Sequence, residues 1–152
     1  MQDKIAKESF INGFNCAQSV VAAFAPAAGI SREFSLKLAT GLGAGVNYQG
    51  ETCGAVIGGL IILGLHYGVD QPNDSKGKAR YKEISGQFTD AFTKQFNSIR
   101  CSKLLGADVS NPDELNALRE RNAFKKNCPG FVNKAANNKT QHDTPPSFKG
   151  LK

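Results

Sequence analysis

At 152 residues the chain suits one domain, long enough to bury a core without needing disulfides or a metal as staples. Hydrophobic residues at 40% and charged residues at 21% exclude wholesale disorder. The net charge of +6 is uneven: residues 1–118 carry 11 basic and 11 acidic side chains, while residues 119–152 carry 8 basic and 2 acidic. No stacking aromatics are interleaved with that basic excess and no nucleic-acid motif is present, so the expectation is a solvated basic face and no nucleic-acid partner.

Helical periodicity dominates and strict apolar alternation is absent, which predicts an all-α fold, a compact single-domain bundle of about six helices. The opening residues, MQDKIAKESFINGF, mix charges and lack an apolar run with a cleavage site; no secretory signal is expected, and the cytoplasm is the default address. A first helix spans about Asp3 to Gly13, with Ala6, Phe10 and Phe14 on one face. A second starts at Cys16, after an Asn15 cap with Gln18 three residues on in a capping-box arrangement, and ends near Pro26. Ser31 caps a third, REFSLKLAT, which stops at Gly41, Gly43 and Gly45.

The fourth helix runs from Cys53 to about Tyr67 and is closed by Gly68. Its Ala55–Leu65 stretch is the most apolar in the chain, but at 11 residues with three glycines it is a buried core helix, since a bilayer span needs about 20. Gly54 and Gly58 lie four apart, which lets a neighbouring helix approach that face closely. The longest helix covers about Asp74 to Asn97, where Tyr81, Ile84, Phe88, Phe92, Phe96 and Ile99 form a stripe at helical spacing and read as core. A sixth begins with Asn111 as cap, Pro112 in its first turn and Glu114 completing the box; a last short one starts after Cys128 and Pro129. The domain is taken as residues 1–136, and residues 137–152, NNKTQHDTPPSFKGLK with Asn137 first, as a basic polar tail, expected to lie over the surface or to be poorly ordered.

Cysteine occurs at 16, 53, 101 and 128, with no C-x-x-C pair, which removes zinc ribbons, thioredoxin-type dithiols and c-type haem attachment. The four share a local position. Cys16 and Cys53 open helices, Cys101 precedes SKLL closed by Gly106, and Cys128 precedes Pro129, which favours the first helical position. Free N–H groups at a helix start carry roughly half a positive charge and lower a thiol pKa. Thiolates bind metal, attack disulfides and hold iron–sulfur clusters, and N–H donors to sulfur raise a cluster's potential.

The order Cys16, then Gly50-Glu51-Thr52-Cys53-Gly54-Ala55-Val56-Ile57-Gly58-Gly59, then Cys101-Ser102-Lys103-Leu104-Leu105-Gly106, then Cys128 resembles the C_GCAxxG_C_C family of bacterial and archaeal redox-active proteins over about Ile5 to Val132. The approach Thr40-Gly41-Leu42-Gly43-Ala44-Gly45 and the closing Gly64-Leu65-His66-Tyr67-Gly68 match as well, while Thr52-Cys53-Gly54-Ala55 departs from the glycine, cysteine, alanine of the family's name. The resemblance implies a helical protein, a redox role resting on the cysteines, and an association with membrane transporters, without a substrate. The family is also similar to the N-terminal part of split-Soret cytochromes, where an iron–sulfur site accompanies haems. This chain has no C-x-x-C-H, so covalent haem is not carried over.

Cys16, Cys53, Cys101 and Cys128 admit three readings, all requiring the sulfurs to converge. All four ligate an iron–sulfur cluster in an electron carrier or redox sensor; or Cys53 attacks a disulfide and another cysteine resolves; or the four hold a structural zinc ion in an interaction protein, which the wide spacing disfavours. The redox partner protein is not specified, and a second copy of the chain is left open as a partner. Among lesser signals, Glu51 is expected to cap the fourth helix, Arg100 to sit beside a thiolate or on the surface, and His66 to be too far along its helix to share the Cys53 site. His142 falls in the tail.

Overall fold

The computed structural model describes residues 1–137. Eight α-helices are arranged in chain order: α1 (Gln2–Ile11), α2 (Cys16–Phe24), α3 (Arg32–Leu38), α4 (Gly54–Tyr67), α5 (Ser75–Phe96), α6 (Cys101–Leu105), α7 (Pro112–Glu120) and α8 (Ala123–Ala136). A single 3₁₀ turn, Thr40–Leu42, comes after α3, and no strand occurs among the described residues. The all-α fold is as expected; the helix number exceeds six because the turn after Arg100 forms a short helix of its own, α6, in addition to the last helix, α8. The polar tail beyond Asn137, with His142, lies outside the described residues. No described helix is long and apolar enough to cross a membrane.

The centre of the bundle is α2, which packs against α1, α3, α4 and α8. All its residues but Gln18 are buried, as a helix that is apolar all round requires. Its start is anchored by the capping box read from the sequence: Asn15 Oδ1 accepts from Gln18 N at 2.9 Å and Asn15 N donates to Gln18 Oε1 at 3.0 Å. The same two amides reach across, Asn15 Nδ2 donating to Thr40 O at 2.9 Å and Gln18 Nε2 to Leu36 O at 2.9 Å. Local capping and tertiary docking of α3 therefore use the same side chains.

Helix α4 crosses α2 through its glycines. A Cβ on Gly54 would lie 2.8 Å from Leu42 O, 3.0 Å from Ala17 N and 3.3 Å from the Cys16 Cβ, and one on Gly58 would lie 2.9 Å from the Val20 Cβ and 3.1 Å from Ala17 O. On the opposite side, the aromatic stripe of α5 packs as expected, with Phe88 and Phe92 fully buried. Phe92 and Phe96 lie 4.9 Å apart, and Phe96 meets Phe131 of α8 edge-on at 4.9 Å. Each such pair adds about 0.5–1.5 kcal/mol beyond burial. Phe131 is one turn past Cys128, so this aromatic contact fixes the face of α8 that carries the cysteine.

Two expectations need correction. Glu114 does not complete a box at Asn111: Asn111 Oδ1 accepts from Asp113 N and Glu114 N, but the Glu114 carboxylate takes the Asp108 N–H instead. The last helix starts at Ala123, not after Cys128, so Pro129 sits inside it. Asn122, at φ 55°, precedes it without a side-chain cap, which removed any start signal.

Replacing Gly58 by Ala gains helix propensity of about 1 kcal/mol but drives a methyl into the α2 backbone, an overpacking cost of about 1–3 kcal/mol. Gly58→Ala is expected to lower the urea midpoint. Gly86→Ala in α5, where a Cβ meets no atom within 4 Å, is expected to raise it by about 0.5–1 kcal/mol; equal shifts of one sign would refute the close crossing.

Candidate functional site

Each cysteine reaches the site by a different route. Cys16 is the first residue of α2 and Cys53 the residue before α4, and the glycine crossing brings these two helix starts together. Cys101 opens α6 and is tied to Cys53 by a short antiparallel pairing: Cys53 N donates to Ile99 O at 2.7 Å, Cys101 N to Glu51 O at 2.6 Å and Ser102 N to Gly50 O at 3.0 Å, with Thr52 and Arg100 as the bridged pair. Cys128 comes from the body of α8, so three of the four sit at helix starts and the fourth does not. Pro129 beside it has no N–H to give the Lys125 carbonyl, leaving a gap in the helical ladder next to the sulfur.

All four cysteines are free and buried, and all line one cavity of about 510 Å³. Cys53 and Cys128 lie near enough to Cys16 to shift the ionisation of its thiol, and both act on Cys101 through charge. Among the described residues no group of three or more Cys, His, Asp or Glu side chains is gathered to hold a metal ion. The sulfurs thus lie on the wall of a cavity and do not form a closed coordination shell.

Environment separates the four thiols. Interaction with the Cys128 and Cys53 side chains, then burial, pushes the Cys16 thiol well above its ordinary value. The Cys53 thiol goes down, first because Cys16 donates to its sulfur and then because the Ala55 and Val56 N–H groups at the start of α4 stabilise the thiolate, against the opposing effect of burial. Cys53 is the N-cap residue of α4, which has no side-chain cap hydrogen bond. Burial, then the Cys53 and Cys128 charges, pushes Cys101 up to about 12.

Glu51 does not cap α4, and Arg100 takes the surface position, the second of its two expected places. Neither lines the cavity; Arg100 Nη2 pairs with Glu51 Oε1 at 3.1 Å on the surface, an exposed ion pair worth about 0–1 kcal/mol. His66 lies at the far end of α4, away from the cavity, as anticipated. Of the Gly41–Gly45 stretch, Gly43 and Ala44 line the cavity.

The handedness of the segment beyond Gly43 was not legible in the sequence. Five consecutive residues, Ala44 (φ 52°), Gly45 (72°), Val46 (64°), Asn47 (48°) and Tyr48 (62°), wind in the left-handed sense. The coil is closed by Asn47 N to Gly41 O at 2.9 Å, Gly50 N to Ala44 O at 3.2 Å and Glu51 N to Gly45 O at 2.9 Å. Each non-glycine residue there costs about 1–2 kcal/mol, and a β-branched valine is a pronounced outlier. Tyr48, Arg119, Lys125 and Phe124 also line the cavity; only the basic excess near the C-terminus hinted at two of them.

The sequence model of the family described as "Putative redox-active protein (C_GCAxxG_C_C)" matches residues 14–141. No curated protein and no solved structure matches significantly.

Three outcomes are expected of the metal-free chain. Val46→Gly trades an outlier for the residue suited to positive φ, with an expected gain of about 0.5–1 kcal/mol in urea unfolding; a loss would show that the coil is not strained. With Cys53 lowered and Cys16 and Cys101 raised, Cys53 keeps the larger thiolate fraction at neutral pH, so iodoacetamide at about pH 7.5 should alkylate it before Cys16 or Cys101 in peptide mass mapping. The two raised thiols stay protonated in the native state where the unfolded chain loses its protons, so stability should fall as pH rises above about 9, the Cys101 contribution continuing towards about 12.

Proposed function

The chain belongs to the C_GCAxxG_C_C family, and from that premise we propose that its four cysteines form one redox centre that takes an iron–sulfur cluster, the protein acting as an electron carrier or redox sensor. The observation that carries this reading is that four buried cysteines, and no His, Asp or Glu, line one cavity. An all-sulfur donor set suits iron–sulfur and other soft-metal chemistry and not magnesium, calcium or manganese. A cavity wall suits a group that spreads its ligands over several irons better than it suits one tetrahedral zinc ion, which needs a closed shell.

Cys16, Cys53, Cys101 and Cys128 would hold the cluster, which when bound supplies one-electron transfer. The chain's own part is electrostatic. The Ala55 and Val56 N–H groups direct positive potential at the Cys53 sulfur, which raises a centre's potential. Cys16 and Cys101, whose raised pKa values keep them protonated, would have to lose those protons to ligate, so loading would release protons and weaken as pH falls.

A second reading rests on the adjacency of the α2 and α4 starts, which sets Cys16 beside Cys53 in one cavity wall. The Cys53 thiolate attacks a partner disulfide, forming a mixed disulfide and releasing one partner thiolate; Cys16, once deprotonated, attacks the Cys53 sulfur, closing a Cys16–Cys53 bond and releasing the second. In that case the partner is reduced by two electrons and the pair oxidised.

Anaerobic purification, then reconstitution with ferrous iron and sulfide where needed, decides between them. The cluster reading expects a brown protein with matching iron and sulfide, and less of both in each single Cys→Ser variant. Colourless, iron-free protein that yields a Cys16–Cys53 linked peptide after mild oxidation would replace it with the dithiol mechanism.

A further inference from the structure

The cavity holds more than sulfur. Its volume of about 510 Å³ falls in the range of about 300–1,000 Å³ typical of small-molecule sites. Its wall includes Phe10, Phe14, Phe124 and Leu104, and its rim carries Ile11 and Tyr48, which are 67% and 52% exposed. Large apolar side chains presented to water beside an apolar cavity mark a recognition surface.

Charge narrows the occupant. Arg119 and Lys125 line the cavity and no carboxylate does. Neither cation belongs to an ion pair among the described residues. The Arg119 guanidinium lies 5.9 Å from the centroid of the Tyr48 ring, which holds a positive charge next to an aromatic face. Ala44, Asn47 and Tyr48 belong to the left-handed coil, so one wall is kept in a conformation that costs stability, as happens where a site demands a given shape.

We propose that the outer part of this cavity binds a small aromatic monoanion, its apolar body between the phenylalanine and tyrosine side chains and its anionic group at Arg119 and Lys125. The ligand would lie against the four cysteines. Its being the centre's small-molecule partner rests on the redox reading above, whereas its binding does not.

The probe is 8-anilinonaphthalene-1-sulfonate, titrated by fluorescence and calorimetry into the full chain purified anaerobically, with the iron content of the same sample measured. One saturable site per chain is expected, with the neutral N-phenyl-1-naphthylamine binding about ten-fold more weakly. The double variant Arg119→Gln/Lys125→Gln should lose about ten-fold for the sulfonate while leaving the neutral compound's affinity in place. Circular dichroism and the thermal midpoint of the variant must match the parent, and Lys125→Gln alone, expected to show a smaller loss of the same selectivity, takes over the test if the double variant does not fold.

Equal affinity for the two compounds, no effect of the variants, or no saturable binding would overturn the proposal. So would a stable dimer, in sedimentation, that Ile11→Arg dissociates, since the apolar rim would then be a contact between copies. Specific binding to iron-free protein would support this site while the cluster reading failed; iron-loaded protein without binding would do the reverse.

Discussion

Two helices can lie close enough to bring their first residues together only if neither has bulk at the crossing. In this protein that condition is met by Gly54 and Gly58 on α4 facing Ala17 and Val20 on α2, and the position of the cysteines depends on it. With side chains in place of those glycines the axes would separate, and the Cys16 and Cys53 sulfurs, which hang from adjacent helix starts, would part. The sheet-like pairing of residues 50–53 with 99–102 then sets Cys101 from the other side, and the phenylalanine cluster of α5 and α8 sets Cys128. Three kinds of contact thus converge on one cavity: backbone proximity, backbone hydrogen bonds and aromatic packing.

The electrostatics of the site depend on which backbone groups those contacts leave free. The start of α4 directs N–H groups at Cys53 and favours its thiolate, while Cys16 donates its proton to that sulfur or to Cys128 and is thereby held as a thiol. Cys101, buried without such donors, is held as a thiol by desolvation. Chemically similar groups in one cavity are therefore unlike in acidity. That asymmetry serves either a nucleophile with a resolving neighbour or a metal centre assembled with loss of protons.

The left-handed coil from Ala44 to Tyr48 is the main local departure from economical backbone geometry. It joins the 3₁₀ turn after α3 to the strand-like segment before Cys53, and part of it faces the cavity. Its hydrogen bonds to Gly41, Ala44 and Gly45 carbonyls and the docking of its ends over-determine it, which is the condition under which costly conformations persist.

By itself the sequence determined what depends on neighbours along the chain. The all-α class, the Asn15–Gln18 box, the Ser31 cap, the Gly106 stop, the buried apolar α4 and the stripe of α5 are set by periodicity and by short-range donors and acceptors, and all are present. The Gly54 and Gly58 spacing announced a close neighbour without naming it. Only the tertiary structure decided that the neighbour is α2, that α8 begins at an uncapped Asn122 and carries Cys128 in its body, that Glu51 pairs with Arg100, and that Ala44–Tyr48 wind left-handed beside Arg119 and Lys125. Those outcomes come from contacts between residues far apart in the chain, where packing and hydrogen bonding outweigh differences in local preference of a few kcal/mol or less.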